Sequence, residues 1–97
     1  MITGLLKIQI HLHGIGSLKD KRRIVKSLTG RIKARFNFSV AEVAANDSKA
    51  QAVIGLGVVA NDTVFINEQL DTLIKFIQRD GRFYVGKIER EIFPFTP

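Results

Sequence analysis

Lys19, Lys21, Arg22, Arg23, Lys26 and Lys33 crowd into one short stretch of the chain, and side chains of this type act together by neutralising phosphate. Between Ser17 and Phe36, eight of the fifteen basic residues face a single acid, Asp20. That segment therefore carries +7 of a total of +6, and everything else sums to −1. Charge this local is a footprint for a polyanion, with structured RNA the expected partner. A helix face built only for solubility also carries charge. It normally interleaves acids, because each Glu to Lys pair at i, i+4 adds about 0.2–0.5 kcal/mol, and this segment forgoes nearly all such pairs.

Other spacings point to chemistry less directly. His11 and His13 sit two apart on an alternating segment and so share a face, which could supply two nitrogen ligands. No third ligand is fixed nearby, and no metal is expected. Gly14, Ile15 and Gly16 before Ser17 and Lys19 place a short glycine turn ahead of a helix, where backbone N–H groups can hold phosphate. The third glycine of a dinucleotide fingerprint and the Walker lysine pattern are both missing, as is the arginine-bearing loop of the acylphosphatase type. Glu89 and Glu91 share a strand face without a partner group, and no Ser, His and Asp set has nucleophilic spacing. The expectation is a non-enzymatic protein with no cofactor.

The elements that position these residues follow from periodicity. Leu6, Ile8, Ile10 and Leu12 alternate with Lys7, Gln9, His11 and His13, which predicts a strand with one buried face. Ser17 then caps a helix, with Asp20 in its first turn and Leu18, Ile24, Val25, Leu28, Ile32 and Phe36 on one side. Lys19, Arg22, Arg23, Lys26 and Lys33 fall opposite that stripe at 100° per residue, in a row about 21 Å long that includes Gly30. Gly30 costs the helix interior about 1 kcal/mol, and marks either a close approach by another backbone or a tolerated accident.

Phe38 to Ala45 and Gln51 to Ala60 read as two strands joined by an Asn46, Asp47, Ser48 turn. Asn61, Asp62 and Thr63 cap a second helix carrying Ile66, Leu70, Leu73, Ile74 and Ile77, and a strand from Phe83 to Ile92 follows. Phe65 and Phe76, to the side of that helix's stripe, are expected as peripheral core or as a contact patch. The order strand, helix, strand, strand, helix, strand predicts an α+β fold, the ferredoxin-like split βαββαβ. It has a four-stranded antiparallel sheet and two helices on one face. One domain over residues 1–93 and a short tail over 94–97 are expected.

Many readers of RNA on this scaffold stack bases on aromatics of the two central strands. Here those strands present Lys7, Gln9, His11 and His13, and Val53, Gly55, Gly57 and Val59, so contact is expected through phosphates and with weak sequence preference. DNA-specific recognition is not expected. The flat, partly apolar face around Gly55 and Gly57 offers an alternative role, as a homodimer surface or a small-ligand module. With 97 residues and 45% hydrophobic content the chain is long enough for one core, and it contains no cysteine. No signal-like or membrane-spanning run is visible, so a cytoplasmic protein with no membrane partner is expected.

Several segments in order resemble the YlxP-like family of small bacterial proteins of unknown function. They are Ser17-Leu18-Lys19-Asp20-Lys21-Arg22-Arg23 with Lys26-Ser27-Leu28, Arg35-Phe36-Asn37, Ser39-Val40-Ala41-Glu42-Val43, Ala52-Val53-Ile54-Gly55, Val58-Val59 with Asn61-Asp62, and Glu89-Arg90-Glu91-Ile92. Lys49 and Ala50 stand where relatives often carry a tryptophan before the hairpin glutamine. The resemblance implies a ferredoxin-like fold and, often, gene neighbours among translation and ribosome-maturation factors. It implies no reaction and no catalytic residues. With the charge argument it leads to the expectation of an RNA- or ribosome-associated factor, with a ribosomal particle as partner.

Overall fold

The computed structural model describes residues 1–96, arranged as β1 (Ile2–Leu12), α1 (Leu18–Arg35), β2 (Ser39–Ala44), β3 (Gln51–Ala60), α2 (Thr63–Gln78) and β4 (Phe83–Pro94). The strands form one antiparallel sheet in the order β2-β3-β1-β4, the expected split βαββαβ arrangement. Alternation along β1 decides which face is covered. Leu6, Ile8, Ile10 and Leu12 are buried, and they meet Ala52, Ile54 and Leu56 of β3 with Val25, Leu28 and Ile32 of α1 and Ile66, Leu70, Leu73 and Ile77 of α2. Both helices therefore lie on one face, driven there by the two apolar stripes. The other face is left to solvent.

Both helices start where their side chains satisfy orphan amides. Ser17 Oγ accepts from the Asp20 N–H at 3.1 Å, and an Asp62 carboxylate oxygen accepts from the Val64 N–H at 3.2 Å. Phe36, expected on the first helix, is extended at φ −127° and closes it, with its N–H bonded to the Ile32 carbonyl.

Two bulges shape the sheet. Val43 is the extra residue between the Glu42–Ile54 and Ala44–Val53 pairs, and its side chain lies over Gly55. On the other side, β1 and β4 shift register between Ile8 and Ile10, beside Gly86. A Cβ at Gly86 would stand 2.6 Å from His11 Nε2, so a side chain there requires the His11 ring to move. The C-terminal strand is longer than its sequence pattern implies: Pro94 pairs with Ile2, and the Phe95 N–H bonds to the Met1 carbonyl at 2.7 Å. Pro94 and Phe95, within the segment expected as a tail, are thus tied to the start of the chain, while Pro97 lies outside the described residues.

Candidate nucleic-acid interface

Helix α1 presents its cations as its periodicity dictates, with one exception. Lys19, Arg22, Arg23, Lys26 and Lys33 are all exposed, and among the described residues none has a carboxylate within ion-pair distance. Gly30 is exposed within this row, and a Cβ added there meets nothing within 4 Å. Among the described residues, none outside the helix approaches Gly30 closely.

Lys21 does not belong to the row. It is 0% exposed, its ammonium donates to the Ala45 carbonyl, and it stands 2.9 Å from Glu42 Oε2 on β2. Glu42 Oε2 is thus paired in charge with Lys21 while accepting no hydrogen bond among the described residues. Lys21 precedes Val25, Leu28 and Ile32 by four, seven and eleven residues, the spacing of the buried stripe, and this removes it from the set of phosphate-contacting candidates. Its bond to Ala45 helps to hold that residue at φ +61°, the left-handed region that a side chain disfavours, where the chain leaves the β2 bulge.

The structure brings together a second group of cations that the sequence reading missed. Arg31 and Arg35 of α1 face Lys75 of α2 and Arg79 just past its end across a groove of about 230 Å³, also lined by Phe36, Thr72 and Phe76. The guanidinium carbons of Arg31 and Arg35 lie 5.1 and 5.0 Å from the centre of the Phe76 ring. Phe76 in turn packs on Phe36 at 5.7 Å, and Phe36 on the buried Phe38 at 5.6 Å. Phe65, by contrast, is exposed on α2. The signal for the groove was present as two like-charged i, i+4 pairs, but which flanks of the two helices meet is a tertiary fact.

Asp80 anchors the edge of this groove. Its side chain is only 4% exposed and accepts from Arg82 Nε at 2.9 Å, Arg82 Nη2 at 2.6 Å and the Arg82 N–H at 2.9 Å. Arg31 Nη1 adds a longer contact at 3.3 Å, and Arg82 Nη1 also donates to Ser27 on α1. The Arg82 guanidinium bonds hold the Asp80 carboxyl below its ordinary value of 3.8, against the opposing effect of burial.

The remaining expected positions are distributed elsewhere. His11 and His13 both pack on Tyr84, with ring centres 4.8 and 5.0 Å away. Gly14 takes φ +59° in the turn before α1, and Ser17 there is engaged as the helix cap. Glu89 stands 3.3 Å from Lys7 and 3.8 Å from Lys87 on the open sheet face. No described helix is long and apolar enough to cross a membrane.

Comparison with known proteins agrees with this architecture and assigns no activity. The chain is 27% identical over 76 residues to the uncharacterized protein YlxP of Bacillus subtilis (strain 168), covering 78% of this chain and 83% of that one. A de novo designed protein, Foldit4, shares the fold with a TM-score of 0.52 at 12% identity, over 98% of both chains. The model of a family described as a protein of unknown function, DUF503, matches residues 3–90, and the chain belongs to that family.

Proposed function

We propose that this protein is a non-enzymatic RNA- or ribosome-associated factor of bacterial translation or ribosome maturation, which contacts backbone phosphates through α1. One observation carries the reading: five exposed cations on one helix face have no carboxylate partner among the described residues. Holding like charges side by side opposes folding slightly, and a polyphosphate partner is the chemistry that reverses that cost. The open sheet face supports phosphate contact over base stacking. The outward residues of its central strands include no Phe, Tyr or Trp, and Tyr84 on the edge strand is already packed by two histidines. Sedimentation with ribosomal particles at moderate salt tests the reading. The protein is expected to travel with a particle, and an Arg22→Glu, Lys26→Glu variant to remain at the top of the gradient. Wild-type protein that stays at the top even at low salt contradicts it.

A second reading rests on the sheet face. Leu5, Val43 and Val59 are 41%, 53% and 59% exposed there, with Val43 lying over Gly55 and Leu5 beside Gly57. A homodimer through this face would bury them. Sedimentation equilibrium decides: Val59→Lys shifts a dimer toward monomer, whereas a wild-type monomer across micromolar concentrations removes the idea.

A further inference from the structure

We propose that the groove between α1 and α2 is a discrete binding site for the oligophosphate group of a nucleotide, held by Arg31, Arg35, Lys75 and Arg79. This site lies away from the Lys19 to Lys33 row and stands independently of it.

Charge supplies the first argument. Arg31, Arg35, Lys75 and Arg79 line the groove with no carboxylate among its lining residues, and beside it Asp80 pairs with Arg82 and Arg31, so these six groups together sum to +4. The nearby helix C-termini contribute only about half a negative charge each, so most of the excess stays uncompensated. Asp80 cannot absorb it, because its oxygens already accept three bonds from Arg82. A lone phosphodiester would bring a single charge to this cluster. A terminal phosphate brings about −1.5 to −2 near neutral pH, so a di- or triphosphate comes closer to matching what the groove holds.

Geometry supplies the second. Arginine is the side chain suited to phosphate because its planar fork makes two parallel bonds, and here two such forks are placed before any ligand arrives. Both lie over the Phe76 ring, Arg31 is also tethered to Asp80, and the ring is rooted through Phe36 in the core. Positions fixed in advance reduce the ordering cost of binding. The volume of about 230 Å³ is below the roughly 300 Å³ at which pockets for whole drug-sized molecules begin. It accommodates a compact, charge-dense group and leaves the attached nucleoside outside.

Isothermal titration with sodium tripolyphosphate, in magnesium-free buffer at low salt, tests the site. Saturable one-to-one binding is expected. Arg35→Ala and Arg79→Ala should each weaken it about tenfold or more, as the loss of a charge-assisted hydrogen bond does, while Lys49→Ala, at an exposed cation outside both proposed sites, leaves it unchanged. Both arginines are exposed, so neither substitution disturbs the core. Absence of saturable binding, equal weakening by Lys49→Ala, or orthophosphate binding as tightly as tripolyphosphate would each overturn the proposal.

Two further probes identify the source of the group. Tighter binding of a 5′-triphosphorylated RNA than of ATP, with the 5′-hydroxyl RNA of the same sequence weaker, places the oligophosphate at an RNA end. The reverse order places it on a free nucleotide, and either order sustains the site. Tripolyphosphate binding that persists without any association with ribosomal particles would sink the α1 reading alone.

Discussion

Removing the Glu42 carboxylate leaves the Lys21 ammonium buried, with the Ala45 carbonyl as its remaining polar contact. Glu42→Ala is therefore expected to lower stability by about 3–5 kcal/mol, the usual cost of orphaning one member of a buried pair. Replacing both, as Lys21→Met with Glu42→Leu, should restore most of that loss in a urea titration. A double variant as unstable as Glu42→Ala would show that the pair is needed for the fold itself. The buried position of Lys21 was legible in its spacing from Val25, Leu28 and Ile32, yet counting charges placed it with its exposed neighbours. Its partner was not legible, because Glu42 reaches it only through the packing of β2 beneath α1.

Asp80 gives the residue scale its pH dependence. Its folded carboxyl titrates below the ordinary 3.8, so the stabilisation it provides is present above that range and is lost as pH falls through the lower, folded value. At pH 7, Asp80→Asn should cost about 1–3 kcal/mol through weakened bonds to Arg82. The gap between wild type and variant, read from urea midpoints, should close as pH is lowered from 5 toward 2. A gap that stays constant over this interval would show that the Arg82 bonds do not depend on the charge of Asp80.

At the scale of elements, α1 sacrifices local stability along the face that the functional reading uses. A Cβ at Gly30 meets open space, so Gly30→Ala should raise stability by about 1 kcal/mol through helix propensity alone. If an RNA backbone passes close to that point, the same variant binds RNA more weakly while melting at a higher temperature. A more stable variant with unchanged binding would identify the glycine as tolerated. The elements themselves were readable because their apolar periods, two in β1 and 3.6 in the helices, coincide with the faces that become buried. The bulge at Val43 was not, since one extra residue in a strand leaves little mark on a short Val- and Ala-rich run. Nor was the groove, because Arg31 and Arg35 acquire their meaning only when α2 brings Lys75, Phe76 and Arg79 alongside.

Across the whole molecule, apolar side chains are exposed on both layers, Val64 and Phe65 on α2 and Leu5, Val43 and Val59 on the sheet, but charge is distributed unevenly. The helical layer carries the unpartnered cations, whereas the open sheet face mixes Lys7, Lys87 and Glu89 in close pairs beside its exposed valines. On the proposed readings a polyanion meets the α1 row and a second copy meets the sheet face, so RNA binding and self-association should respond to different substitutions. The central claim is that the α1 row meets backbone phosphates. Its most direct test is the salt dependence of binding to structured ribosomal RNA, compared for wild type, Lys26→Ala and the buried-site variant Lys21→Met with Glu42→Leu. The log–log slope should fall by about 1 for Lys26→Ala and stay at the wild-type value for the buried-site variant. A slope that Lys26→Ala leaves untouched would contradict the account.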